Sequence, residues 1–163
     1  MSKRAASLFA LTLFCSLLAC HEETVLSAEA YGPVVFGSQL VDVERILNVK
    51  ASREHEDPFC YYVQFAKYPG VEFMIEAGVV TRAEVKADVE NTLSIKVGTP
   101  IEQIKKTHPN IIVKPHKYVS NGFYLVSKTV NGKNAIVMEA VDGKVTSIRG
   151  GIEPSVEYVE GCL

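Results

Sequence analysis

The sequence predicts an α+β protein, a tandem αβββ repeat whose strands form one continuous antiparallel sheet with two short helices packed on one face. Three observations lead there. Two helix starts with matching apolar stripes recur sixty-one residues apart, an aromatic or β-branched run follows each, and turn-forming dipeptides cut each strand region into three.

The helices come first. Gly37-Ser38-Gln39-Leu40 aligns with Gly98-Thr99-Pro100-Ile101, and Val43 with Ile104. In the second segment Thr99 is placed as an N-cap, Pro100 as the first helical residue and Glu102 as the closing member of a capping box. Leu40, Val43 and Leu47 fall at i, i+3 and i+7, as do Ile101, Ile104 and His108. Each segment therefore reads as a short amphipathic helix with one buried stripe.

The strands follow. Tyr61-Tyr62-Val63 aligns with Phe123-Tyr124-Leu125, residue types suited to a pleated, half-buried surface. Asn131-Gly132 and Asp142-Gly143 are hairpin signals, since both central residues of a type I′ turn need positive φ. They divide residues 123–150 into three strands. Pro69-Gly70 and Ala77-Gly78 do the same in the first segment, giving strands at 61–65, 71–76 and 79–85. Alternation places Val71, Phe73 and Ile75 on one face, and Glu72, Met74 and Glu76 on the other. One such unit has too little apolar face to be stable alone. Two meanders joined edge to edge bury both helices against one sheet. The repeats span about 36–86 and 97–150 of a single domain at 32–163, with a C-terminal tail at 151–163.

The start of the chain has a different character. Lys3 and Arg4 precede an apolar run from Ala5 to Ala19, which is too short to cross roughly 30 Å of hydrocarbon comfortably. Residues 1–19 read as a signal peptide. The run ends in Leu17-Leu18-Ala19-Cys20, which resembles the bacterial lipobox, where the Cys is diacylated and becomes the mature N-terminus. The competing reading is ordinary cleavage after Ala28-Glu29-Ala30, a small-x-small pattern about eleven residues beyond the apolar run. Two acyl chains, at about 0.8 kcal/mol per buried methylene, make an effectively permanent anchor. His21 stands where an Asp would favour retention in the inner membrane, so the lipoprotein pattern implies the periplasmic side of the outer membrane. Residues 20–31 are polar and mixed, and read as a lipidated tether.

Four cysteines then divide by fate. Cys15 leaves with the signal, Cys20 takes the lipid, and Cys60 and Cys162 remain. In an oxidising periplasm two remaining thiols most simply pair, and the alternatives of a metal pair or a nucleophile find no Cys-x-x-Cys and no His at ligand spacing. Lys and Arg number 17 against 19 Asp and Glu, a net charge of −2 that falls to about −4 once Lys3 and Arg4 are removed. Such a charge offers no basic field for nucleic acid.

A duplicated helix plus three-strand unit resembles the fold of the β-lactamase-inhibitory proteins, and each copy is similar to the SmpA/OmlA-type outer-membrane lipoproteins. The Gly-x-x-x-x-x-Val helix start, the Gly-closed hairpin and the lipobox carry this. Cys60-Tyr61-Tyr62, Phe73-Met74-Ile75-Glu76, Pro115-His116-Lys117-Tyr118 and the tail Val156-Glu157-Tyr158-Val159-Glu160-Gly161-Cys162 resemble a family of small proteobacterial lipoproteins, some members of which are labelled lectin. The resemblance implies a fold and a compartment, and only the lectin label bears on binding.

Four residues are candidates for binding. His116, Lys117 and Tyr118 concentrate an imidazole, a cation and a phenol in a loop before a strand, as functional loops on rigid scaffolds do. The plainer reading is a solvated Lys117 and a Tyr118 that covers a sheet edge. Tyr158 is either an anchor for a partner or sugar, or packs near the Cys162 bridge. Arg53-Glu54-His55-Glu56-Asp57 matches no metal-ligand spacing and reads as a solvated charged loop. Glu153, Glu157 and Glu160 read as surface charge. No catalytic residue, metal or cofactor is expected: Gly-x-Ser-x-Gly, His-Glu-x-x-His and a phosphate loop are all missing from the sequence. The expected function is that of a non-catalytic, lipid-anchored periplasmic protein that binds another protein, an envelope accessory or hydrolase inhibitor. A lectin-like module for glycan or peptidoglycan is the alternative.

Overall fold

The computed structural model describes residues 24–53, 57–85 and 89–162. It is a mixed α+β structure. A two-stranded hairpin, β1 (Ala30–Tyr31) and β2 (Val34–Val35), precedes helix α1 (Leu40–Leu47) and strands β3 (Ser52–Arg53), β4 (Cys60–Gln64), β5 (Val71–Glu76) and β6 (Val79–Val85). Helix α2 (Ile101–Thr107) follows, with β7 (Ile112–Pro115), β8 (Gly122–Lys128), β9 (Asn134–Val141) and β10 (Lys144–Ile152), and then a 3-10 turn at Ser155–Glu157. The eight later strands form one sheet in the order β3-β4-β5-β6-β10-β9-β8-β7. Every pairing is antiparallel, and β6 against β10 joins the two meanders at the centre.

Both helices serve one face of this sheet. Val43, Leu47, Ile101 and Ile104 lie in a single apolar cluster with Phe73, Ile75, Ala83, Leu125, Met138 and Ile148. The expected stripes are thus the buried ones, with Leu40 packed at the margin. His108 is not on the stripe but at the C-cap of α2, where its Nδ1 meets the Thr107 hydroxyl at 2.8 Å. The capping box does not form. Helix α2 begins one residue later than expected, with Pro100 in extended conformation as N-cap, while the Thr99 hydroxyl accepts from the Lys96 amide and Glu102 pairs with Lys105 at 2.9 Å. A backward-bonded threonine and a lysine one turn along outcompete the reciprocal cap.

The turns explain the strand lengths. Ala77 and Gly78 have φ of 48° and 82°, and Asp142 and Gly143 of 52° and 76°, the signature of two-residue type I′ hairpins. Asn131-Gly132 is different: Gly132 alone has positive φ, and Asn131 Oδ1 instead accepts from the Lys133 amide and the Thr129 hydroxyl, making a five-residue loop. Each meander also has a fourth, outer strand that the periodicity does not reveal. β3 is two residues long and β7 four. Along β7 the His116 amide donates to the Gly122 oxygen, so alternation turns the main-chain groups of Val113 and Pro115 outward, and Pro115 has no N–H to present there.

The stretch expected to be a tether is part of the body from Thr24 onward. Leu26 is 1 % exposed, its amide donates to Glu90 and its oxygen accepts from Thr92, and Tyr31 stacks edge-on against Tyr68 and Phe73. An apolar leucine inside a polar segment is what sequence composition averages away. The signal segment 1–19, Cys20 and residues 54–56 of the charged loop lie outside the described residues.

Candidate functional site

The face of the sheet opposite the helices is covered by the C-terminal tail. Its floor is made of residues that alternate away from the apolar cluster: Tyr62 on β4, Met74 on β5, Arg82 on β6, Arg149 on β10, Tyr124 and Val126 on β8. Arg82 and Arg149 are 1 % and 2 % exposed. Arg82 Nη1 donates to the main-chain oxygens of Ser155 (3.1 Å) and Tyr158 (2.8 Å), and Arg149 Nε to that of Val156 (2.7 Å). Each guanidinium also has an acid and a phenol. Arg82 meets Glu84 at 3.0 Å and donates to the Tyr62 hydroxyl at 2.5 Å, whereas Arg149 meets Glu139 at 2.7 Å and lies 5.8 Å from the Tyr124 ring centre. Burial pushes the Tyr62 hydroxyl up despite the nearby Arg82 charge, and does the same to Tyr124.

Around this floor the tail is fixed in several ways. Val156 is fully buried among Tyr124, Val126, Ala135 and Val137, worth about 1.5–3 kcal/mol. The Ser155 hydroxyl donates to Glu76. Glu157 takes Lys114 at 2.7 Å and Lys128 at 3.0 Å, and Lys128 also reaches Glu153 at 2.8 Å. Cys162 is bonded to Cys60, with Cα atoms 5.3 Å apart and a separation of 102 positions in sequence. Glu153, Glu157 and Glu160, read from sequence as surface charge, are the tail's ionic fastenings. Two opposing influences set Glu157: burial works to raise its carboxyl, while hydrogen bonds from Lys114 and Lys128 prevail and hold it below the ordinary carboxylate value.

The candidate loop leans on this tail. His116 is an organiser of the loop: its Nδ1 accepts from the Tyr118 and Val119 amides at 3.1 and 3.2 Å, and its ring stacks on Tyr124 with centroids 4.5 Å apart. Gly122 is needed beneath it, since a Cβ there would stand 2.8 Å from that of His116. Lys117 pairs with Glu160 of the tail at 2.9 Å and lies 4.9 Å from the Tyr118 ring centre. Its hydrogen bond holds the Glu160 carboxyl below its ordinary range. Tyr118 itself is 61 % exposed and Tyr158 42 %. The loop and the tail are therefore cross-braced, with the His116 ring turned inward, Lys117 tied to Glu160 at the surface and two phenol rings facing solvent.

Tyr61 and Tyr62 do take opposite faces, as period-two alternation requires: Tyr61 packs beside the helix-side cluster under Arg53, and Tyr62 sits on the tail side. The two buried arginines were missed from sequence. Their signal was a cation inside each central strand, at Arg82 between Val80 and Val85 and at Arg149 beside Ile148. Among the described residues no group of three or more His, Cys, Asp or Glu side chains is placed to hold a metal, and no helix is long and apolar enough to cross a membrane. Compared with models of protein families, with curated proteins and with solved structures, the chain matches none.

Proposed function

We propose that this chain is a non-catalytic, lipid-anchored binding protein of the periplasm, held on the outer membrane through Cys20, which recognises another protein through Tyr118 and Tyr158. One observation carries the reading. Tyr118 stands exposed on a loop whose backbone is pinned by His116 and whose neighbour Lys117 is tied to a strapped tail, so a large ring is presented at little cost in conformational entropy. An envelope accessory or a hydrolase inhibitor is the class it fits, with no nucleic acid and no cofactor involved.

The anchor is supported by the packing of Leu26. Cleavage after Ala30 would strip this buried leucine from the core, whereas processing before Cys20 leaves it in place. We also infer that the two meanders descend from a duplicated unit. Supporting this, Arg82 with Tyr62 and Arg149 with Tyr124 repeat one arrangement, each guanidinium carbon 5.8 Å from its ring centre, on either side of the central β6–β10 pair.

A lectin-like role rests on the same Tyr118 ring, which could stack on sugar C–H groups. The experiment is photo-crosslinking in the periplasm from positions 118 and 158, with mass spectrometry, beside a glycan array of the processed protein. One stoichiometric protein adduct with a blank array supports protein recognition. A saturable glycan signal lost in Tyr118→Ala overturns it in favour of the lectin.

A further inference from the structure

The polypeptide enters the body on the helix-covered side. Thr24 lies against Gly32, and the Leu26 and Tyr31 side chains join the same cluster as the buried stripes of α1 and α2. Only four peptide links separate Thr24 from Cys20, a contour of at most about 14 Å in any conformation. A lipid on Cys20 therefore keeps this face close to the bilayer. The other face is shut off from the anchor by the sheet itself.

We propose that the helix layer is the membrane-facing surface of the protein, resting on anionic headgroups, with the tail-covered face turned away; this rests on the lipid-anchor reading above. The outward chemistry of the helices fits such an occupant. At 100° per residue Arg45 and Lys106 lie opposite the buried stripes of α1 and α2. A cation at a leaflet surface is worth about 1 kcal/mol, a contribution that falls chiefly to Lys106, since Arg45 is paired with Asp42 at 2.8 Å. Val41, beside the crest of α1, is an aliphatic residue 65 % exposed to solvent. Such a residue suits the interface below a headgroup. On the opposite face Arg82 and Arg149 are buried and paired with Glu84 and Glu139, and Lys114, Lys117 and Lys128 pair with glutamates of the tail, so those cations are already engaged away from lipid. This orientation directs Tyr158 and the tail toward soluble partners, while the helices lie against lipid.

The chain contains no Trp, so one introduced residue is a unique reporter. Val41→Trp and Tyr158→Trp are made in the full chain, acylated in cells, and reconstituted into vesicles of phosphatidylethanolamine and phosphatidylglycerol with or without brominated acyl chains. Bromination is expected to cut Val41→Trp emission by about half while leaving Tyr158→Trp nearly unchanged, and adding Arg45→Glu with Lys106→Glu is expected to weaken the first effect. Protein that floats with the vesicles but shows equal quenching at both positions, or quenching at Tyr158→Trp alone, or none at either, overturns the orientation and leaves the anchor standing. Protein that fails to float overturns the anchor and the orientation together.

Discussion

Arg82 donates a hydrogen bond of 2.8 Å to the main-chain oxygen of Tyr158, across 76 residues of sequence. The guanidinium is the point where the central sheet holds its covering segment. Arg82→Ala would take away the buried cation paired with Glu84 and the side-chain donor shared by the Ser155 and Tyr158 carbonyls, an expected cost of about 3–5 kcal/mol. Urea denaturation monitored by far-ultraviolet circular dichroism measures it, and a loss under about 1 kcal/mol would show that the tail does not depend on this contact.

The Cys60–Cys162 bridge closes a loop whose chain-entropy value is about 4.7 kcal/mol. Because Arg82, Arg149 and Val156 hold the tail independently, the double variant Cys60→Ser, Cys162→Ser is expected to lose stability yet keep protection at amides near Val156. Native-state hydrogen exchange reads both. Exchange of those amides at the rate of an unstructured chain would mean that the bridge alone seats the tail.

Acid should loosen the tail first. The Glu157 carboxyl is held below its ordinary value near 4.5 in the folded state, so its contribution is complete above that value and is lost as pH falls through the lower, folded one. Lys128 is held above its ordinary value by the Glu153 and Glu157 hydrogen bonds, so its contribution is lost only as pH rises through the folded value in strong alkali. Stability measured between pH 6 and pH 3 should therefore decline, and Glu157→Gln should flatten part of that decline while lowering the neutral plateau. An unchanged slope in the variant would remove Glu157 from the account.

Gly150 marks where the N-terminal segment crosses the sheet. A Cβ there would fall 2.4 Å from the Ser27 oxygen and 3.0 Å from Leu26 Cδ1. Gly150→Ala is expected to destabilise by about 1–3 kcal/mol through displacement of that segment. Equilibrium unfolding measures the loss, and raised exchange at the Leu26 amide would locate it.

Tyr118→Ala should separate binding from folding. With its ring mostly in solvent, the substitution should change stability by no more than about 0.5 kcal/mol. Partner capture should nevertheless fall sharply, and a destabilisation of several kcal/mol would reassign the ring to packing.

Periodicity carried the inner part of the fold. The stripes of α1 and α2, the alternation of Val71, Phe73 and Ile75, and the type I′ turns at Ala77-Gly78 and Asp142-Gly143 are local signals that tertiary contacts reinforce. The edge strands are too short to show a period, and their pairing is supplied by β4 and β8. The roles of Arg82, Arg149 and Glu157 were illegible for another reason: a charged residue reads as solvated unless the chain that covers it is known to return. The candidate loop was found by its composition, but composition does not tell that His116 works inward and Tyr118 outward.

The outermost strands decide how these molecules meet one another. β7 ends on Pro115, which withholds a donor from the open border, and β3 is only two residues long. A sheet of eight strands is thereby denied the continuous ladder that a ninth strand from another molecule would need. Crowding many copies into a plane should produce side-by-side neighbours rather than β-polymers, so local concentration can rise without seeding fibrils.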